Sequence, residues 1–452
     1  MTAIPVAEET RPNDASEESP LQPPSARWFR VGLAAIAVLA LAIRVGYVLG
    51  WHHPERIGGD AFYYHFGANL LADGKGFLNP FRLIYDHIHT PGANHPPLYL
   101  MALSIGSVVG LDSYFDHQLL SCLMGTATVV VIALVARRIA GPRAGLVAAF
   151  VAAVYPNLWF NDAMVLSETL VQLMSALVLL TAYVFWERRS VRSAVVLGLM
   201  VGLAALTRAE MIMLSVLLIV PLCLLLRRTT WWRKVALLAL AAVGVSVLVL
   251  PWSAYNTSRF AERTYISTGL GQTKAAANCD ETYYGPFPGW KSYPCFLAIP
   301  TPPGDESQES VAYDKVANDY IAAHRGAQKR VMLQRIGRTW ALYQPVKEIQ
   351  LDRIDKRQLP ASKVALGMYY LLAVASVGGA VLVRRRGWPV LPLVSLLLAV
   401  TVAVALTFGQ TRYRASAEVS LVVLGSVLFA AVPTWLGRVR RGGLRRRSAP
   451  AR

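Results

Sequence analysis

PPLYLMALSIGSVVGL, residues Pro96–Leu111, is the stretch on which the architecture turns. As a helix its sixteen residues rise about 24 Å, marginal against a hydrocarbon core of about 30 Å, and it opens on two prolines. Parity settles its reading. If it does not cross a membrane, the clusters Arg137/Arg138/Arg143, Arg188/Arg189/Arg192, Arg227/Arg228/Arg233/Lys234, Arg384 to Arg386 and Arg438 to Arg447 all face the cytoplasm. If it crosses, several fall outside, against the rule that basic loops stay inside. It is therefore read as an interfacial or re-entrant helix on the outer surface.

Working outward, the chain has 452 residues, 54% hydrophobic and only 16% charged, with a mean hydropathy of +0.40. That composition exceeds what a soluble domain needs and indicates an all-α polytopic membrane protein. The net charge of +18 sits in short clusters between apolar runs, which argues for membrane orientation. No nucleic-acid partner is expected, because the clusters lack interleaved aromatics or a recognisable module.

Residues 1–28, rich in Pro, Glu and Ser, read as a disordered cytoplasmic tail. Runs long enough to span lie at Phe29 to Trp51, Gln118 to Ala136, Ala144 to Phe160, Ala163 to Trp186 and Val191 to Leu206. Others are Met211 to Leu226, Val235 to Trp252, Lys363 to Val383, Trp388 to Phe408 and Ala415 to Leu436. These are about ten crossings. The resulting division is a transmembrane module over 29–253 with a first outer loop at 52–117, a larger outer loop at 254–362, C-terminal spans over 363–436, and a basic cytoplasmic tail at 437–452.

The larger loop holds CDETYYGPFPGWKSYPC, Cys279 to Cys295. Two cysteines flanking an aromatic, Pro/Gly-rich segment outside the cytoplasm read as a disulfide, two free thiols being the alternative. Cys122 and Cys223 lie within spans and read as packing residues. The stretch from Ser307 to Pro345 has helical spacing with mixed charge, as in a helix on the membrane surface.

Chemistry is sought where ionisable groups meet the outer face, because charge in a bilayer is costly without a partner or task. In GGDAFYYHFGANLLADGKGF, Gly58 to Phe77, two glycines permit a sharp turn before Asp60, which is either a helix cap or a reactive carboxylate. HPPLYL, His95 to Leu100, opens the ambiguous helix. Glu168 in LSETL is read about six residues inside a span, lining a cavity, pairing with a cation or serving as a structural hydrogen-bonded group. Arg208 and Glu210 in LTRAEM form either a turn-closing ion pair or part of a site. QTRYR, Gln410 to Arg414, places two guanidiniums around Tyr413, suited to interfacial anchoring or to bidentate recognition of phosphate.

Together these segments resemble the GT-C membrane glycosyltransferases, in the branch that includes protein O-mannosyltransferases and the lipid A aminoarabinose transferase (family 39-like). The resemblance runs from about Arg44 to Glu210 and returns in the helical part of the larger loop and near Arg412. Many relatives carry an Asp-Glu pair where this chain has Asp60-Ala61, leaving Asp60 as the only acid there.

The resemblance implies transfer of a sugar from a polyprenyl-phosphate carrier, on the extracytoplasmic side of a bacterial inner membrane, to a hydroxyl of a glycan, glycolipid or protein, with inversion. It implies Asp60 as general base, and Arg412, Arg414 and Arg208 as cations for the carrier phosphate. Glu168, His95, Tyr413, Glu210 and Tyr64 are substrate-contacting candidates. Arg44 either contacts the phosphate or snorkels. Seven of the eight histidines lie between His52 and His117. His87 and His89 with a nearby Asp offer a metal site, the alternative being polar or sugar-contacting imidazoles, and no metal or other cofactor is assigned. A transporter or flippase of lipid-linked sugar is the rival, although the chain lacks the repeats that class shows.

Overall fold

The computed structural model describes residues 26–51 and 57–447, so the expected N-terminal tail as far as residue 25, and 448–452 of the basic tail, lie outside the described residues. Every helix or strand assigned among the described residues is helical. α1 (Ala26–Trp51) leads to a first loop containing α2 (Gly59–Ala72), α3 (Pro80–Tyr85) and α4 (Leu98–Val108). α5 (Tyr114–Ala140), α6 (Pro142–Val154), α7 (Pro156–Ala163), α8 (Glu168–Arg188) and α9 (Val191–Thr207) follow.

Prolines set the irregular joints. Tyr155, ahead of Pro156, is extended, because a residue before proline is pushed out of the helical region, and α6 meets α7 at a bend of 49°. Beyond α9, a 3₁₀ turn (Ala209–Met213) and a π turn (Ser215–Ile219) lead into α10 (Val220–Leu224). Pro221 there cannot donate to the preceding turn.

α11 (Trp231–Arg259) returns to the outer segment, which holds α12 (Leu270–Ala277), α13 (Asp280–Tyr283), α14 (Tyr293–Leu297), α15 (Glu306–Ala323), α16 (Gln328–Thr339) and α17 (Pro345–Leu351). α18 (Leu359–Arg385), α19 (Leu391–Leu406) and α20 (Ala415–Arg447) complete the bundle.

Among the described residues six helices are long and apolar enough to cross a membrane, and α6 with α7 makes up to seven. The other three expected crossings correspond to shorter apolar helices, Val191–Thr207, Ala209–Leu224 and Leu391–Leu406. α4 has 11 residues, about 16 Å of helix and roughly half a hydrocarbon core. It is anchored sideways: Tyr99 shares a 2.7 Å hydrogen bond with Ser121, and Ser107 meets Asn69 at 2.8 Å and His117 at 3.0 Å.

Two boundaries depart from the expected ones. α8 begins at Glu168, because α7 ends at Ala163 and Val165 turns the chain at φ +51. Glu168 therefore opens its helix, where the sequence suggested six residues of depth. α20 runs past Leu436 to Arg447.

The basic clusters around Arg138, Arg189, Arg227 and Arg233 converge on one end of the bundle. Arg138 pairs with Glu187, Arg189 donates to the Arg227 carbonyl at 3.0 Å, and Arg233 to that of Arg189 at 3.3 Å. Tyr183 reaches the Pro389 carbonyl at 3.1 Å, bringing the α18–α19 turn to the same end. Between the ends, α9 and α11 approach through small residues. A Cβ on Gly198 would stand 2.0 Å from the Ala241 carbonyl, so any larger residue would force the helices apart. α18 leaves Leu371, Val374 and Val377 exposed, an apolar face suited to lipid.

At the opposite end, the outer segment grips the first loop. Glu306 accepts from the Ala93 amide at 2.7 Å, Asn79 at 2.8 Å and Thr268 at 2.9 Å. Arg259 donates to the carbonyls of Phe77 at 2.6 Å and Gly92 at 2.8 Å. Cys279 and Cys295 are joined by a disulfide with Cα atoms 6.4 Å apart.

Candidate active site

Gly59 adopts φ +57, a left-handed turn that glycine makes without Cβ strain, and it delivers Asp60 to the first turn of α2. Gly58 occupies the cap position, so the Asp60 carboxylate is not spent on capping. Oδ2 pairs with Arg412 Nη2, and Oδ1 lies 3.6 Å from His95 Nε2. His95 stacks on Tyr64 with ring centres 5.0 Å apart. Burial alone would raise the Asp60 carboxyl, but Arg412 and His95, with a further pull from Lys291, hold it well below its ordinary value of 3.8.

Arg412 comes from the 3₁₀ turn Thr411–Arg414 that precedes α20. Besides Asp60 it meets Glu168 Oε1 through Nε at 2.6 Å and Asp355 Oδ1 through Nη1 at 3.4 Å. Arg208 follows the last residue of α9 and reaches Glu168 Oε1 through Nη1 and Glu210 Oε1 through Nε, both at 2.6 Å. Its guanidinium lies 4.6 Å from the Tyr413 ring centre. Four carboxylates thus face two guanidiniums. Glu168 is fully buried and stands behind the two arginines.

Asp60, Tyr64, His95, Arg208, Glu210, Arg412 and Tyr413 line one cavity of about 960 Å³. Its walls change character along its length. Val400, Val404, Leu406 and Phe408 of the α19 region, with Ile212 and Met213, are apolar, whereas Thr264, Thr268, Gln272 and Ser310 of the outer segment are polar. Such a cavity can accept a molecule that is part hydrocarbon and part hydroxyl-rich, with ionised groups where the two meet.

Two residues from the sequence motifs sit elsewhere. Arg414 turns away from the cavity, bonding Glu418 at 2.6 Å and the Thr339 carbonyl at 2.7 Å, with its guanidinium 3.6 Å from the Tyr369 ring centre. Arg44 neither lines the cavity nor snorkels. It is buried and paired with Asp162 at 2.7 Å, and Asp162 also accepts from Thr169 at 2.8 Å. Among the described residues no three His, Cys, Asp or Glu side chains are grouped as a metal site requires.

Asp355, Lys291 and Ser167 join the site without having been singled out. Asp355 lay in an unremarkable charged run, and Lys291 was inside the cysteine-bounded segment, where a lysine among five aromatic residues was the available signal.

Residues 94–255 match the family model for dolichyl-phosphate-mannose-protein mannosyltransferase. The Archaeoglobus fulgidus oligosaccharyltransferase in its apo form aligns with a TM-score of 0.54 and 15% identity, covering 95% of this chain and 53% of that one. The same enzyme tethered to an acceptor peptide containing the NVT sequon gives 0.52 and 15%, covering 89% and 49%. ArnT from Cupriavidus metallidurans bound to undecaprenyl phosphate gives 0.45 and 15%, covering 90% and 79%. No curated protein shows a significant sequence match. The chain spans about half the length of the archaeal oligosaccharyltransferase. Its all-helical architecture, with a short-helix first loop and an outer segment closing one end of an apolar bundle, is the GT-C glycosyltransferase fold.

Proposed function

We propose that the protein is a membrane glycosyltransferase that moves a sugar from a polyprenyl-phosphate carrier to a hydroxyl of a glycan, glycolipid or protein. The active site is assigned to the extracytoplasmic face of a bacterial inner membrane, because the basic clusters occupy the opposite end of the bundle. The observation that carries the proposal is the Asp60 carboxylate paired with Arg412 in a cavity with one apolar and one polar wall. The match of residues 94–255 to a dolichyl-phosphate-mannose-dependent family supports a lipid-linked donor. The acceptor peptide tethered to the archaeal oligosaccharyltransferase supports an acceptor site in a protein of this fold.

In this mechanism the acceptor oxygen attacks the anomeric carbon as its proton passes to Asp60, and the bond from that carbon to the phosphate oxygen breaks. The carrier leaves as polyprenyl phosphate, and attack opposite the leaving group inverts the anomeric centre. A carboxylate with a depressed pKa is a weak base, so its part is to receive the proton late, once the oxygen has become acidic by bonding to carbon. Arg412 and Arg208 offset the charge growing on the departing phosphate. Glu168 fixes both guanidiniums in place before substrate arrives, so that little reorganisation is needed during reaction.

Purified protein in liposomes, supplied with polyprenyl-phosphate sugars and hydroxyl acceptors, tests the proposal. Transfer that disappears in Asp60→Asn is expected. Scrambling of the lipid between leaflets without transfer would instead identify a flippase.

A further inference from the structure

Lys291, Arg263 and Arg335 line this cavity without a carboxylate partner among the described residues, but Arg335 is spent on the Ala405 and Ala277 carbonyls and on Asn278, and Arg263 is exposed, which leaves Lys291 as a buried cation with donors to spare. All three nitrogens of Arg412 meet acidic side chains, and Arg208 is tied to Glu168 and Glu210. Lys291 is 9% exposed and lines the same cavity, yet it makes no ion pair and no hydrogen bond to any described residue. Its ammonium is surrounded by rings, with Phe408 at 5.1 Å, Tyr293 at 5.2 Å and Trp290 at 6.0 Å. A buried ammonium kept from water and held among aromatic faces retains its charge but leaves its donors unspent.

Its position matters as much as its freedom. The charge of Lys291 acts on Asp60 and Asp355 and is opposed by that of Arg412, so these groups share one electrostatic neighbourhood. Lys291 raises the cations facing the four carboxylates from two to three, so an anion entering the cavity meets less opposition beside it. Phe408, which it touches, belongs to the cavity's apolar wall. A ligand reaching both would present a phosphate group at the end of a hydrocarbon chain.

We infer that Lys291, presented by the loop between Cys279 and Cys295, directly binds the phosphate of the lipid carrier, adding a contact with unspent donors to the charge that Arg412 and Arg208 lend it. This rests on the glycosyltransferase proposal and adds to it a phosphate ligand from the outer segment. It also gives the disulfide a role. The bond bounds the segment carrying Lys291 on both sides, and Ser292 next to it is pinned by Glu281 and donates from its backbone to the Ala276 carbonyl at 2.8 Å.

The test measures binding of undecaprenyl phosphate, undecaprenol and inorganic phosphate to the full-length protein in nanodiscs, for the wild type, Lys291→Met and Lys291→Arg. The wild type is expected to prefer the phosphorylated lipid to the alcohol. Lys291→Met should lose about tenfold or more in affinity for the phosphorylated lipid and leave the alcohol unchanged, as expected when a charge-assisted contact is removed. Lys291→Arg should restore most of the loss, with all three proteins eluting and unfolding alike. A Lys291→Met protein that keeps wild-type preference overturns the inference and leaves the glycosyltransferase proposal standing. A wild type that does not distinguish phosphate from alcohol overturns both. Inorganic phosphate binding as tightly as the lipid would assign the site to a soluble anion and likewise overturn the inference.

Discussion

A single oxygen, Glu168 Oε1, accepts from Arg208 Nη1 and from Arg412 Nε at 2.6 Å each. It thereby clamps the end of α9 to the turn before α20, reaching Arg412 across a separation of 244 residues and Arg208 across 40. The carboxylate opens α8, where the helix dipole also favours negative charge. The three segments that supply this cluster meet beside the cavity, with Arg208 and Arg412 in its wall, and Glu168 is the post that holds them.

Glu168→Gln preserves shape but removes the charge both arginines share. Disrupting a buried, hydrogen-bonded charge pair costs about 2–5 kcal/mol, so kcat/KM should fall about 30-fold or more. The thermal transition should also move down. A variant with wild-type transfer kinetics would remove Glu168 from the organisation of the site.

The depressed Asp60 carboxyl makes a pH prediction with a definite sign. Its pKa is lower in the folded protein than the ordinary 3.8, so its ionised state contributes stability that is fully present above about pH 4–5. That contribution is lost as pH falls through the lower folded value. Transfer by the wild type should therefore show no acid limb from Asp60 above pH 5. Arg412→Ala removes the main charge opposing burial and should bring an acid limb upward into the measurable range, with kcat/KM reduced about 100-fold or more. An unchanged pH profile in Arg412→Ala would separate the two residues functionally.

Arg44 and Asp162 should behave as a structural pair. Asp162→Ala leaves a buried guanidinium uncompensated, at a cost of about 3–5 kcal/mol, seen as a lowered unfolding midpoint. Replacing both residues, with Arg44→Met and Asp162→Leu, should recover much of that loss. Donor KM, measured on the folded fraction, should remain near wild type in the double variant. A raised KM would return Arg44 to the carrier site.

Removing the Cys279–Cys295 bond by Ser substitution releases a loop of 16 residues' separation, which in chain-entropy terms weakens the outer segment by about 3 kcal/mol. The sharper expectation is kinetic. Donor KM should rise in the double Ser variant as it does in Lys291→Met, and combining the two changes should add little, since both act on one contact. Full additivity would show that the disulfide and the lysine act independently.

Composition and the placement of basic clusters were enough to establish a multi-span helical membrane protein. They also led to the reading of Pro96–Leu111 as a segment that does not cross, because a bilayer imposes length and charge rules that act locally on sequence. Motifs also named Asp60, Glu168, Arg208, Glu210 and Arg412, since an acid or base next to an apolar run is costly enough to be noticed. Which of these meet was not local information. Arg412 is separated from Asp60 by 352 residues, and Arg414, two positions on, turns to Glu418 and the Thr339 carbonyl instead. In the sequence the two arginines of QTRYR are equivalent, and only the packing of the Thr411–Arg414 turn against α16 and α20 assigns one to the cavity and the other to the core. Asp162 was hidden for the same reason: its only signal was a partner 118 residues earlier. Sequence determined which charges would have to be accommodated in this membrane protein, and tertiary packing decided which were neutralised and which, like Lys291, were left for a ligand.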